Sequence, residues 1–496
     1  MTVNIVPEPQ KITLGEEKTV FTLTRLAEIE ADEKSEKAKA ALLNFAEKVF
    51  EISFVGTGRE IVILKVDPKI SQSEGYRLTV SKDCVLVEGA DENGVFWGVQ
   101  SLCALLFQND RSLSGVVIED WPAFHYRAFM LDCSSFFFSV EAVKLFLDAM
   151  ALHKLNVFHW RLTGDQGWRL ELFENFLLTQ IGAYRAFTEL GNVPHGGYYT
   201  QSDIGEILAY AHERCISVVP EFDFPDRTAA ALCAYPSLGC GEKKVEVATN
   251  FKEKNAVLCL GKESTFDFVF SVLDEAAELF GDGVFHLGGG RPVLKARENC
   301  HDCGKKAAEL SLESTDGLYD YFFERVVSHL EKKKIKAVLS VHGGGCPKGA
   351  IVEITKADGG ERAENALAVL FEAADLSLPH GVLSVRECLE ASPKLVKEKE
   401  TLGAVASLYT EAVPSMKKAG KQLFPRLGAF SESVWTKEKS YSRFLEKLQD
   451  YEKLLSTIPF DFEKKSAAFP SKLREKSDEL LLKRLKKKTA RLKDSL

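Results

Sequence analysis

The residues able to do chemistry in this 496-residue chain cluster at the ends of apolar runs. Asp132 closes one run, and His159 and Arg161 stand two apart at the end of the next. Asp165, Glu221 and Asp223, His286 and Glu411 follow in similar places. Carboxylates and imidazoles are the groups that move protons in general acid–base catalysis. Guanidinium groups are suited to capture carboxylate, sulfate or phosphate. Each residue also has a structural reading: His159 and His286 as satisfied core histidines, Glu221 and Asp223 as acceptors that hold loops. Cys300-His301-Asp302-Cys303 is the one close pair among 11 cysteines. A structural zinc site needs four ligands, and with no second pair nearby neither a bound metal nor a cofactor is expected.

The elements that would position these groups read as an α/β chain. Up to about residue 118 the pattern is a small α+β unit. Tyr76–Val80 and Cys84–Val87 alternate in the strand manner, and Gly94–Phe107 carries a helical apolar stripe. From Tyr126 onward apolar runs alternate with amphipathic helices. The runs are Phe129–Cys133, Asn156–Leu162, Ser217–Phe222, Val284–Gly288, Lys336–Val341, Ala350–Thr355, Ala366–Phe371 and Val405–Tyr409. Thr200 with Asp203, and Ser264 with Asp267, have capping-box spacing before two of the helices. Eight such strands predict a (β/α)8 TIM barrel, preceded by the small α+β domain. The expected division is 1–118, 119–460 and a tail, 461–496. In such barrels the active site lies at the C-terminal ends of the strands, where the residues above fall.

Composition excludes several classes. Hydrophobic residues make up 45% and charged residues 27%, ordinary for a globular protein. A net charge of −8 argues against nucleic acid as the main partner. No apolar run approaches the roughly 18 residues of a transmembrane segment. The first residues lack the basic and apolar regions of a signal peptide, and the odd cysteine count favours free thiols, so a cytoplasmic location is expected. Residues 471–496 carry ten Lys/Arg against four acids, a local charge of +6. A solvated helix, or a basic tail contacting an acidic partner, both fit that charge.

Several blocks resemble glycoside hydrolase family 20, the β-N-acetylhexosaminidases. They are Phe129–Asp132, His153–Trp160, Asp165–Arg169, Val218–Pro225, His286–Gly289 and Pro425–Ala429, in the family's order. The resemblance implies substrate-assisted hydrolysis of a terminal β-N-acetylhexosamine, in which the sugar's own acetamido oxygen attacks the anomeric carbon. It also implies an Asp that orients the acetamido group and a following Glu that protonates the leaving oxygen, both directly after His-x-Gly-Gly.

At that point the chain departs from the pattern. Gly290 and Arg291 follow His286-Leu287-Gly288-Gly289. Glycine orients nothing, and arginine has no proton to give at neutral pH. The supporting positions differ too: Gly164 stands for an Asp, Arg227 for a His, Ser135 and Phe136 for an Arg and a His, and Arg161 for a second His. Asp165 and the Tyr409-Thr410-Glu411 segment are retained. The expected reading is a hexosaminidase fold that has lost hexosaminidase catalysis, with Asp165, Tyr409, Glu411, Arg161 and Arg291 left to bind a carbohydrate. The ligand is expected to be anionic if Arg161, Arg227 and Arg291 converge. Two alternatives stand beside it: an active glycosidase using Glu411, Asp165 and Asp223, and a structural or interaction protein whose site has decayed.

Overall fold

The computed structural model describes residues 1–460, apart from 16–19, 189–192, 242–243, 251–255, 282, 290–292, 294, 341–346, 356–367, 378–382, 392 and 394–399. Gly290, Arg291 and the basic tail therefore lie outside the described residues.

Alternating burial along Tyr76–Val80 and Cys84–Gly89 forms the centre of a six-stranded N-terminal sheet. Strand Val116–Asp120 pairs antiparallel to Tyr76–Val80, and Ile61–Val66 pairs parallel to Cys84–Gly89. Helices Glu36–Phe50 and Glu92–Gln108 accompany this sheet; the Asp91 carboxylate accepts the Gly94 N–H and so caps the second.

The eight expected barrel strands form. In order they are Tyr126–Asp132, Val157–Arg161, Ser217–Phe224, Val284–Gly288, Lys336–Ser340, Ile351–Thr355, Ala368–Asp375 and Thr401–Leu408. Each pairs parallel with the next, and the eighth pairs with the first, which closes the barrel. Parallel strands are covered on both faces, which is why they read as apolar runs. Ala128, Met130, Val157, Val219 and Val405 pack as one cluster, joined across the barrel by Val338, Ile351, Ala368 and Leu370. Above these apolar residues, toward the strand ends, Asp132, His159, Arg161, Glu221, Asp223, His286 and Glu353 form a buried polar tier, and that tier makes the candidate site.

Helix Gln201–His212 starts with the expected capping box of Thr200 and Asp203. The spacing at Ser264 and Asp267 is not used that way. That helix begins at Glu263, with Lys262 before it and no side-chain cap. The neighbouring Thr265 hydroxyl instead donates to the Cys259 carbonyl at 2.7 Å.

Two buried ion pairs fasten the N-terminal sheet to the barrel. Arg127, on the first barrel strand, donates to both Glu74 oxygens at 3.0 and 2.6 Å. Burial alone would raise the Glu74 carboxyl, yet the Arg127 charge overrides it and holds the group at about 2. Lys154 donates to Asp120 Oδ2 at 2.9 Å, and Trp435 Nε1 donates to Asp120 Oδ1 at 2.9 Å.

Candidate functional site

Strand register brings the chemistry together. Arg161 ends the second barrel strand, opposite Asp132 of the first and Glu221 of the third, and Glu221 stands opposite His286 of the fourth. Side chains two apart share a face, so His159 and Arg161 both point into the barrel while Trp160 points out. Trp160 is fully buried in the outer layer, its Nε1 donating to Cys133 Sγ at 3.3 Å. Trp168 and Trp435 are likewise core residues, with 1% and 0% exposure.

Arg161 is sealed. Its Nη2 donates to Asp223 Oδ2, and its Nε lies 3.4 Å from Glu221 Oε1. Its guanidinium also lies over the Tyr409 ring, 5.7 Å from the centroid. Glu221 Oε2 is 2.8 Å from His159 Nε2. The two carboxylates around this one guanidinium separate in acidity. Burial opposes ionisation of Glu221, but the Arg161 charge and the hydrogen bond from His159 outweigh it and hold Glu221 well below the usual carboxylate range. Asp223 is pushed up to about 6, by burial first and by the Glu221 charge in addition, against the pull of Arg161 and Arg227. Arg227 Nε lies 4.0 Å from Asp223 Oδ2, and its side chain keeps 38% of its exposure. Arg161 and Arg227 thus converge on one acid, the first with its charge already engaged, and Arg291 lies outside the described residues.

The other retained acids also have structural work. Asp132 Oδ1 accepts from the Ser134 N–H and hydroxyl at 2.8 and 2.6 Å and from the Ser135 N–H at 3.3 Å. Its Oδ2 accepts the Thr410 N–H at 3.2 Å, so it clamps the ends of the first and eighth strands together. Asp165 Oδ1 accepts the Ala229 N–H at 3.0 Å, and burial raises its carboxyl to about 6. Gly164 lies in the small hairpin beneath; a Cβ there would stand 2.7 Å from Ser134 Oγ, so serine fills the space a carboxylate would need. Tyr409 donates its hydroxyl to Glu372 Oε1 at 3.0 Å, and Glu411 follows in the turn after the eighth strand.

Two site acids were not singled out in the sequence. Glu353, on the sixth strand, is buried, with Oε2 3.8 Å from His286 Nε2. Burial, then Glu372 and Glu221, raise its carboxyl well above the normal range. Glu372, on the seventh strand, is raised for the same first reason. Glu353 is the lone charged residue in Ile351–Thr355, and that was the available signal; Glu372 shares Ala368–Asp375 with Asp375 and falls just past the run read from the sequence. His286 is driven down to about 3 by burial and is neutral at pH 7.

Gly288 and Gly289 turn the chain out of the fourth strand with φ of +70° and +82°. A Cβ on Gly288 would stand 2.4 Å from Asp223 Oδ1, so glycine is required both for the backbone angle and for the close approach. Gly290 and Arg291 come next in sequence, directly beyond this turn.

Two family models match in tandem: glycosyl hydrolase family 20, domain 2, over residues 2–121, and the family 20 catalytic domain over residues 124–354. A beta-hexosaminidase of Porphyromonas gingivalis is 32% identical over 495 aligned residues, covering 90% of this chain and 62% of that protein. The chain thus spans about three fifths of that relative's length. Among solved structures, a beta-N-acetylhexosaminidase from Bacteroides fragilis superposes with a TM-score of 0.77 at 27% identity, over 92% of this chain and 96% of that one. The family 20 beta-N-acetylhexosaminidase of Streptomyces coelicolor gives 0.80 at 25% identity, over 95% and 99%. On the two matched domains and the barrel they describe, the chain belongs to glycoside hydrolase family 20.

Proposed function

We propose that this protein binds a hexosaminide in its barrel mouth without hydrolysing it by the family's reaction. One observation carries the reading: Gly290 and Arg291 occupy the two positions after His286-Leu287-Gly288-Gly289, where the resemblance implies the acetamide-orienting Asp and the acid Glu. Without the first, nothing aligns the acetamido oxygen on the anomeric carbon. Without the second, the leaving oxygen departs unprotonated, and general acid catalysis is worth roughly 10²- to 10⁴-fold. The neighbouring acids do not stand in easily, since Glu221 and Asp223 both neutralise Arg161. Tyr409, Glu411 and Asp165 remain as the polar groups for a sugar. An acidic substituent on that sugar would be read by Arg227 and Arg291, with Arg161 held back by its two carboxylates.

A second reading is supported by the acids whose acidity is weakened. Asp165 and Asp223, both raised to about 6, have the character of general acids near neutral pH. An active glycosidase using these carboxylates is the alternative. Purified protein with 4-nitrophenyl N-acetyl-β-glucosaminide separates the two. No release above the buffer rate, together with saturable binding of N-acetylglucosamine by calorimetry, is expected. Catalytic release that disappears in Asp223→Asn would overturn the first reading in favour of the second.

A further inference from the structure

Away from the barrel mouth, four cysteines distant in sequence meet at one point. Cys240 follows the turn Pro236–Leu238, and Cys259 lies just past an antiparallel bridge between Gly239 and Leu258. Cys300 precedes the helix His301–Glu309, and Cys303 sits in its first turn. The sulfur–sulfur distances are 3.7 Å for Cys240–Cys303, 3.6 Å for Cys259–Cys300 and 3.7 Å for Cys259–Cys303, and all four sulfurs lie within 4.8 Å of one another. A disulfide requires about 2.05 Å, so these sulfurs are not bonded. Four thiolates around one zinc at about 2.3 Å, arranged tetrahedrally, stand about 3.8 Å apart. The observed spacing fits the second geometry.

The backbone packs closely around the sulfurs. The Gly261 backbone packs against the first turn of the helix that carries Cys303. A Cβ on Gly261 would lie 2.1 Å from the Asp302 carbonyl carbon and 2.5 Å from Cys303 N, so only glycine allows this approach. Lys262 donates to the Ser237 and Gly239 carbonyls at 2.8 and 3.4 Å, placing a cation beside the cluster. Cysteines buried merely as small apolar side chains need no converging sulfurs. Cys133 is of that kind, and burial pushes its thiol up to about 12.

We propose that Cys240, Cys259, Cys300 and Cys303 form a closed tetrathiolate site for one zinc(II) ion. Four soft ligands in tetrahedral array select zinc or iron over hard cations, and four protein ligands leave no open position for chemistry, which marks a structural site. Each thiol gives up its proton as the metal binds. The ion would fasten the segment following the third barrel strand, which begins near Arg227, to the segment following the fourth, which carries Gly290 and Arg291. Arg297 already links the same two segments, donating to Asp226 Oδ1 at 2.6 Å and to the Leu258 carbonyl at 3.2 Å. The proposal departs from the expectation of no metal, which rested on finding no second cysteine pair; folding supplies Cys240 and Cys259 from a distance.

Elemental analysis of the full chain purified without chelator should give one zinc per chain. Replacement by cobalt(II) should produce the intense visible bands of tetrahedral thiolate coordination. Alkylation with iodoacetamide, mapped by mass spectrometry, should spare these four cysteines until a chelator is added, while Cys84 reacts throughout. Cys300→Ser should lower zinc affinity at least tenfold, and Cys84→Ser should leave it unchanged. If Cys300→Ser does not fold, the metal content and alkylation map of the parent protein still decide. Metal-free protein with four freely alkylated thiols, a disulfide among the four, or iron in place of zinc would overturn the proposal. None of these readouts depends on hexosaminide binding or turnover.

Discussion

Replacing Arg161 by methionine separates a sealed structural cation from an anion clamp. Methionine fills much of the same volume but supplies no charge to Asp223 and Glu221. Arg161 is only 5% exposed, so water cannot replace the guanidinium. Removing one partner of a buried ion pair costs about 3–5 kcal/mol, because the remaining charge is left uncompensated. Here two carboxylates lose one partner, which places the expected loss at pH 8 toward the upper part of that range. The pH dependence gives a second check. Burial raises the folded pKa of Asp223 to about 6, above the 3.8 of an ordinary aspartate. A carboxyl raised in this way binds more protons folded than unfolded, so its contribution is fully present below about 4 and is lost as pH rises through about 6. Removing Arg161 raises it further. At pH 5 Asp223 is therefore protonated in the variant, and the cost of the substitution should fall by at least 1 kcal/mol relative to pH 8. Urea unfolding followed by tryptophan fluorescence at the two pH values measures both quantities. Arg161→Met combined with Asp223→Asn should recover part of the loss at pH 8. A cost below 1 kcal/mol at every pH would refute the sealed cation and return Arg161 to the ligand.

Three further expectations rest on the same geometry. Glu353→Gln should change stability at pH 7 by less than about 1 kcal/mol, because burial keeps that carboxyl protonated and an amide matches its shape; a loss above 3 kcal/mol in urea titration would mean it is ionised. Restoring Gly290→Asp with Arg291→Glu should yield no hexosaminidase turnover in the chromogenic assay, since Ser134 Oγ fills the Gly164 space and Arg161 still engages Asp223 and Glu221; rates within a hundredfold of a working hexosaminidase would show that those substitutions matter little. Arg127→Met should cost about 3–5 kcal/mol by stranding Glu74 in the domain interface, and limited proteolysis should then release the N-terminal unit; unchanged unfolding would remove this pair as the fastener.

The barrel was legible because parallel strands are buried on both faces, so each appears as an unbroken apolar run. The capping box at Thr200 was legible because both partners lie within one turn. At Ser264 the same spacing misled, since helix Glu263–Phe280 starts two residues earlier than a Ser264 cap implies and Thr265 spends its hydroxyl on the Cys259 carbonyl. The site itself was half visible. His159, Arg161, Glu221 and Asp223 stood at strand ends, but the sealing of Arg161 follows from register, which sets Arg161 opposite both Asp132 and Glu221 and cannot be read along one strand. Glu353 shows the same limit from the other side. A single acid in the run Ile351–Thr355 is conspicuous, yet whether it faces the barrel interior depends on which residues its neighbours place beside it. The cysteine cluster was least legible of all. Cys240 and Cys259 come from the excursion after the third strand and Cys300 and Cys303 from the one after the fourth, and only the packing of the two brings their sulfurs within coordinating distance. Local spacing reports what one element does; convergence of several elements is a property of the closed barrel, and so both the neutralised cation and the sulfur cluster had to wait for it.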